Sequence, residues 1–111
     1  MGLMHAAAAR FELHLPECRS LKAKRAVLRP VVDGLRHRFR ISVAEVDHHD
    51  RWQRAAIAIA VVAESEHRLG EVLAAAERFV AAAPGAELLD VECTPLVVDE
   101  GVLDLAHVNG S

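Results

Sequence analysis

Side chains alternate with a period of two in four segments of the chain, apolar with polar or, in the third segment, large apolar residues with alanine, a pattern typical of strands. One face of the first segment consists of Phe11, Leu13 and Leu15, and Pro16 ends it. The second and third segments are 41–47 and 55–61, and alanines fill one face of the latter. In the fourth segment, which ends near Pro95, the two alternating sets are Leu89, Val91 and Cys93, and Leu88, Asp90 and Glu92. We therefore predict four strands.

Two segments between these strands repeat apolar residues with a helical period. The first follows Ser20, a residue type favoured at a helix N-cap. Its apolar residues, which lie within about 100° on a helical wheel, are Leu21, Leu28, Val31, Val32, Leu35 and Phe39. Pro30 can kink this helix, but the period continues on both sides of it. The second helix follows Ser65 and stops at Pro84 and Gly85.

The order β-α-β-β-α-β predicts an α+β, ferredoxin-like fold. This is a two-layer sandwich in which an antiparallel four-stranded sheet carries both helices on one face. Residues 4–97 are expected to form this single domain, and residues 98–111 an acidic, mobile tail or a short appended segment. The chain has no secretory signal or membrane-length apolar run, and only two cysteines that lie far apart. We therefore expect a cytoplasmic protein with reduced thiols.

The net charge of −3 conceals a strong polarity along the chain. Residues 19–40 contain eight bases and one acid, a net charge of +7, whereas residues 56–111 contain two bases and ten acids, a net charge of −8. Four bases project within about 60° of one another on the wheel of the first helix; they are Lys22, Arg25, Arg29 and Arg36. Such a stripe can follow a phosphate backbone, with Lys24 and Arg19 assisting at the helix start. The alternatives are a solvated helix face, pairing with acids of this domain or of a partner subunit, and binding of a small phosphorylated ligand.

The corner between the second and third strands, residues 42–55, carries acids, histidines, arginines and the only tryptophan. His48 and His49 follow Glu45 and Asp47, but adjacent strand residues point to opposite faces and no metal-binding motif accompanies them. We therefore predict no metal site. We expect a structural hairpin in which Glu45 and Asp47 pair with arginines of the same corner, namely Arg51 and Arg54. The alternatives are a binding surface or an acid–base site.

The sheet face away from the helices is expected to be small and acidic, since it would carry Ala56, Ala58, Ala60, Asp90 and Glu92 beside Glu12 and His14. Such a face cannot stack bases as RNA-recognition motifs do. It suits packing against the sheet of a second subunit, with Arg10 or Arg54 meeting acids of that partner. Cys18 and the scattered histidines lack partners that would make a nucleophile–base pair, so we predict neither an enzyme nor a cofactor.

Four stretches of the chain, 12–16, 20–25, 42–55 and 87–92, resemble the YlxP family, small bacterial proteins of uncharacterised function. The resemblance covers roughly residues 4–96, although family members usually carry Gln where this chain has His49. It implies a ferredoxin-like fold and, because the family's genes commonly lie beside translation and ribosome-maturation genes, work on RNA or the ribosome. It supplies no catalytic residues. Its signature positions here are Lys22, Lys24, Arg25, Glu45, Asp47, Asp50, Trp52, Gln53 and Arg54.

The sequence thus favours a non-enzymatic accessory protein that binds structured RNA or a ribosomal particle through its basic first helix. The main alternative is a self-associating protein-interaction module that binds no nucleic acid. A third reading is a small-ligand or regulatory domain, because the ferredoxin-like fold alone does not decide function.

Overall fold

Six elements follow one another in the predicted order in the computed structural model, which describes residues 4–96. They are β1 (His5–His14), α1 (Leu21–Phe39), β2 (Ser42–Asp47), β3 (Arg54–Ala63), α2 (Glu66–Ala81) and β4 (Glu87–Leu96). The predicted boundary at residue 97 and the predicted tail 98–111 lie outside the described residues.

The four strands form one antiparallel sheet in the order β2-β3-β1-β4. Phe11 of β1 lies opposite Ile57 of β3, and both are fully buried between the sheet and the helices. Leu35 of α1 and Val80 of α2 complete the same core cluster. The ferredoxin-like α+β fold is therefore confirmed. No helix within residues 4–96 has the length and apolar character needed to cross a membrane.

Side-chain caps fix where both helices begin. Ser20 Oγ accepts a hydrogen bond of 3.0 Å from the Ala23 amide, and Ser65 Oγ accepts one of 3.1 Å from the Arg68 amide. Each cap satisfies one of the amides that a helix start leaves without a partner. α1 continues through Pro30, whose ring lies on the exposed side.

The two helices approach closely where Gly34 meets Phe79. A Cβ atom at position 34 would overlap the Phe79 ring, so this position of α1 requires glycine. The same ring packs edge-on against Phe39, with 5.8 Å between the ring centroids. This contact sets α1 against α2 and so fixes which side of α1 faces solvent.

Two β-bulges change which side chains share a face of the sheet. In β2 the register shifts between Glu45 and Asp47, so Glu45 stays on the helix side while Asp47 lies opposite Ala56 on the open face, the sheet face away from the helices. The open face therefore gains an acid that strict alternation would have placed under α1.

The second bulge lies in β4, where the register shifts beside Leu89. Leu88 packs with Val91 against the core, while Leu89 is 51% exposed. The prediction that Leu89 and Val91 share one face is therefore wrong, because Leu89 is the extra residue of the bulge and breaks the period of two.

Candidate nucleic-acid interface

The predicted basic stripe forms an exposed surface on α1, which we call the cationic face; it consists of Lys22, Arg25, Arg29 and Arg36. The last three line a shallow groove of about 240 Å³ that also includes Asp33 and Glu45. At a rise of about 1.5 Å per residue, the cationic face extends about 16 Å from Arg25 to Arg36. It runs beside β2, which is an edge strand of the sheet.

No member of the cationic face lies within ion-pair distance of a carboxylate anywhere in residues 4–96. Arg36 donates a hydrogen bond of 3.1 Å to the Val43 carbonyl, so one of its nitrogens is occupied by an uncharged acceptor. The alternative in which these bases pair with acids of their own domain thus finds no support among the described residues. The charges face solvent.

Lys24 does not belong to this surface, and its assignment to the anion-binding residues is wrong. Its side chain is buried, with 2% of the residue exposed. The Lys24 ammonium donates a hydrogen bond of 2.6 Å to the His48 carbonyl and lies 3.0 Å from Glu45 Oε2. On the helical wheel Lys24 falls among the apolar residues rather than beside Lys22, so the sequence did carry a signal of its burial.

The corner between β2 and β3 is held to the start of α1 by backbone and side-chain hydrogen bonds. Gln53 Nε2 donates to the carbonyls of Pro16 and Cys18, both at 3.3 Å, and the Gln53 carbonyl accepts from the Leu15 amide at 2.9 Å. At the other end of the corner, the Arg51 amide donates to the His48 carbonyl at 3.0 Å. Three of the signature residues, Lys24, Glu45 and Gln53, therefore make contacts that hold the fold together.

His48 adopts a left-handed backbone conformation, with φ at 60°. Among residues other than glycine this conformation is uncommon, and asparagine, aspartate and histidine adopt it most often. It allows one carbonyl to receive both the Arg51 amide and the Lys24 ammonium. Asp50 and Trp52, the remaining signature residues of the turn, are exposed, and the Trp52 side chain adds an apolar surface to this end of the molecule.

The charges of the open face converge on Glu12, which sequence reasoning placed there without giving it a role. Glu12 accepts hydrogen bonds from Arg54 at 2.6 Å and from Arg10 at 3.0 Å, and His48 Nε2 lies 3.1 Å from the same carboxylate. Arg10 also donates to Asp47 at 3.2 Å. We call these five residues, Arg10, Glu12, Asp47, His48 and Arg54, the Glu12 cluster.

The Glu12 cluster corrects two predictions. Arg54 pairs with Glu12 rather than with Glu45 or Asp47, because the bulge in β2 separates those two acids onto opposite faces. Arg51 forms no ion pair with either acid. Arg10 and Arg54 are engaged by acids of their own chain, and their pairing with acids of a second subunit stays a prediction.

The surroundings of Glu12 and Asp47 lower the pKa of both carboxyl groups. For Glu12, burial acts to raise the pKa, but hydrogen bonds from Arg54 and Arg10 together with the charge of His48 outweigh it. For Asp47, a hydrogen bond of 2.7 Å from the His48 amide lowers the pKa most, and Arg10 adds to the effect. Both acids are therefore ionised at neutral pH and hold the nearby bases in place.

The part of the chain that the structure describes brings no three histidine, cysteine or acidic side chains into a metal-binding arrangement. Cys18 is buried and Cys93 is exposed, so the two thiols lie in different environments. The described open face presents no aromatic ring, since Phe11 lies in the core and Phe39 packs on Phe79 between the helices. This arrangement agrees with the exclusion of base stacking on the sheet.

Residues 6–93 match the model of a family described as "Protein of unknown function (DUF503)". The uncharacterized protein YlxP of Bacillus subtilis (strain 168) is 39% identical to the chain over 64 residues, which are 54% of this chain and 70% of that protein. These matches confirm the resemblance found in the sequence.

Two solved structures of similar shape each share 12% sequence identity with the chain. A de novo designed protein with a ferredoxin fold has a TM-score of 0.51, and the match covers 90% of this chain and 92% of the designed one. A dimeric ferredoxin-like protein from an uncultured marine organism has a TM-score of 0.40, with 90% and 94% covered. At this identity the first match shows the fold alone, whereas the family match assigns the sequence: the chain belongs to the DUF503 family, together with YlxP.

Proposed function

We propose that this protein binds RNA, either as a structured RNA or within a ribosomal particle, through the cationic face of α1, and that it catalyses no reaction. The observation that carries the proposal is that four exposed bases share one face without an acidic partner in residues 4–96. The proposal places the protein in the cytoplasm, where reduced thiols are the rule.

The arrangement of these bases has an energetic cost when nothing is bound. Arg25 and Arg29 are four residues apart, and like charges at this spacing destabilise a helix by about 0.2–0.5 kcal/mol per pair. The Glu12 cluster shows that the same chain can neutralise bases with nearby acids. An external polyanion would remove the repulsion along α1, and a phosphate backbone supplies negative charges at regular intervals.

The shape of the surface favours a long anion over a small one. The groove beside Arg25 and Arg29 is shallow and also contains the carboxylates of Asp33 and Glu45. A single phosphate would have to sit close to those acids, whereas a backbone can touch successive bases along the helix from outside the groove. Contacts of this kind carry no sequence information, so we expect binding to depend strongly on salt and weakly on sequence.

The test compares two double variants that remove equal charge. Arg25→Gln with Arg29→Gln alters the cationic face, and Arg68→Gln with Arg78→Gln removes two exposed arginines of α2. Each protein is sedimented from native lysate through sucrose gradients at about 50 mM and about 300 mM salt, a range over which phosphate contacts weaken greatly. We expect the wild type and the α2 variant to travel with ribosomal particles at low salt, and the α1 variant to stay at the top.

A direct measurement with purified protein and a labelled hairpin RNA completes the test. We expect the α1 variant to lose about tenfold or more in affinity at low salt, since each phosphate contact contributes to binding. Equal loss in both double variants would indicate an unspecific effect of net charge. Absence of binding by the wild type at low salt in both experiments would reject the proposal.

A second candidate function, self-association, is favoured by one end of the open face. There Ala8, Ala58 and Ala60 form a small-residue surface beside Val62, which is 67% exposed, and Leu96, which is 53% exposed. Two such surfaces can pack closely without bulky side chains between them. Sedimentation velocity of the wild type and of Val62→Glu distinguishes the candidates, because a sheet-to-sheet oligomer would dissociate in the variant while RNA binding through α1 would persist.

A further inference from the structure

We infer that Trp52 is the base-stacking residue of the same RNA-binding surface, so that the preferred RNA carries an unpaired nucleotide beside the segment held by α1. This inference rests on the proposed function and names the class of RNA that it would recognise. Trp52 is the one exposed aromatic side chain in residues 4–96, with 51% of its surface in contact with solvent. Half of this large apolar side chain is thus free to contact a ligand. The hydrophobic core does not include Trp52, so such a contact leaves the core unchanged.

The position of Trp52 relative to the cationic face follows from the hydrogen bonds around it. Gln53, the next residue, is bonded to the Cys18 carbonyl two residues before the cap of α1. The same corner receives the ammonium of Lys24, which is adjacent to Arg25 along α1. The exposed indole therefore lies at the end of the molecule where α1 begins, and the exposed Arg51 precedes it.

The corner that presents Trp52 is braced before any ligand binds. Its hydrogen bonds run through the backbone of Leu15, His48 and Arg51 and through the side chains of Lys24 and Gln53, and none of them uses the indole. Replacing the indole should therefore leave the corner intact. A rigid support also lowers the ordering cost that a flexible loop would incur on binding.

An indole in this place matches the chemistry of an unpaired base. Bases of any identity stack on aromatic rings, and loss of one stacked base weakens binding about tenfold or more. In a duplex the bases are already stacked on one another, so only an unpaired nucleotide offers a free ring. The sheet offers no competing platform among the described residues, because its open face carries alanines and charges.

The experiment uses the emission of Trp52 itself, since the chain has one Trp and no Tyr. Two hairpin RNAs, each with a non-nucleotide linker in place of its loop, are titrated at low salt: one has a single unpaired uridine in its stem, and the other has the same length with every base paired. We expect the bulged hairpin to quench the emission and to protect the indole from acrylamide, and the paired hairpin to bind without either effect.

Affinities of Trp52 variants for labelled RNA test the same contact independently of the emission. We expect Trp52→Leu to bind the bulged hairpin about tenfold more weakly, as loss of one stacked base predicts, and to bind the paired hairpin as the wild type does. Trp52→Phe should keep most of the affinity. Thermal melts of both variants should match the wild type, because the side chain is exposed.

The outcomes separate the inference from the proposed function. If both hairpins bind equally to the wild type and to Trp52→Leu, or if binding leaves the emission unchanged, the inference is wrong while RNA binding by α1 stands. If neither hairpin binds to the wild type, both are rejected. If Trp52→Leu instead changes the sedimentation coefficient of the protein without RNA, Trp52 contacts a second protein chain and the inference is overturned.

Discussion

On the open face of the sheet, Glu12 lies within 3.1 Å of three basic side chains, whereas the four exposed bases of α1 have no acid within ion-pair distance in residues 4–96. Both regions are rich in arginine, and both lie on the surface of the same small domain. The difference lies in what the backbone places opposite each base. In the Glu12 cluster, neighbouring strands and a bulge bring the acids to the bases.

Charges in the two regions therefore have opposite effects on the free energy of unfolding. Glu12 is a partly enclosed acid, with 17% of its side chain exposed, and its charged hydrogen bonds stabilise the fold. The bases of α1 repel one another, so they contribute little to stability or reduce it. Charged residues that do not stabilise the fold are the better candidates for ligand binding. The variants below test this division between the Glu12 cluster and the cationic face.

The largest expected effect concerns Lys24, a base of α1 that is paired with a carboxylate, as the bases of the Glu12 cluster are. Lys24→Met leaves the Glu45 carboxylate without its ion-pair partner in a largely enclosed position and removes one of the two hydrogen bonds to the His48 carbonyl. Breaking such a pair should lower the free energy of unfolding by about 3 kcal/mol. Urea denaturation followed by circular dichroism measures this loss.

The matched control for Lys24 is Lys22→Met, which removes the same charge two residues earlier from an exposed position. Its effect should stay within about 0.5 kcal/mol, as for other surface substitutions. Adding Glu45→Gln to Lys24→Met should restore part of the lost stability, because the orphaned charge is then absent. Equal stability of the two single variants would contradict the pairing of Lys24.

The next effect concerns Glu12 and its dependence on pH. Glu12→Gln should lower the free energy of unfolding by about 1–2 kcal/mol at neutral pH, since several charge-assisted hydrogen bonds are lost but the two arginines are partly exposed. The folded-state pKa of Glu12 lies below its ordinary value of 4.5. Its contribution is therefore complete above pH 4.5 and is lost as the pH falls through the folded-state pKa.

We thus expect the stability difference between the wild type and Glu12→Gln to be constant near neutrality and to shrink with acidification below pH 4.5. Urea titrations at a series of pH values measure it. Asp47 shares Arg10 with Glu12, so the same comparison is repeated in an Asp47→Asn background, which removes the titration of Asp47 from both proteins. The exposed Glu17 gives the control at neutral pH, where Glu17→Gln should change the free energy of unfolding by no more than about 0.5 kcal/mol. A stability difference between the wild type and Glu12→Gln that grows as the pH falls would contradict the lowered pKa of Glu12.

The sequence predicted the order of the elements because each depends on local signals. The period of two in Phe11, Leu13 and Leu15 and the caps Ser20 and Ser65 concern residues close together in the chain, and the structure agrees with them. The exposure of Arg25 and Arg29 followed equally from helical periodicity. The burial of Lys24 could also have been predicted from the sequence, since its place on the helical wheel is among the apolar residues.

The partners of the charged residues could not be predicted, because they depend on two bulges that leave no clear mark in the sequence. Val46 and Leu89 are ordinary strand residues, yet each is the extra residue that shifts the register of its strand. A shift by one residue exchanges the faces of all side chains beyond it. Asp47 consequently meets Arg10 from a distant part of the chain, a contact that spacing alone does not reveal.

The smallest expected effect has the opposite sign and concerns the cationic face. Arg25→Gln with Arg29→Gln removes two like-charge pairs, Lys22 with Arg25 and Arg25 with Arg29, against one favourable pair, Arg29 with Asp33. Gln and Arg have similar helix propensities. The double variant should be more stable than the wild type by about 0.3 kcal/mol at low salt. The gain should disappear at about 300 mM salt, where exposed charges are largely screened.

Arg68→Gln, which removes an exposed pair with Glu71 on α2, should instead lose stability slightly at low salt. Scanning calorimetry at both salt concentrations resolves the signs. A loss of stability in the α1 double variant would mean that these arginines act in the fold as the Glu12 cluster does, and the division between the two regions would no longer hold.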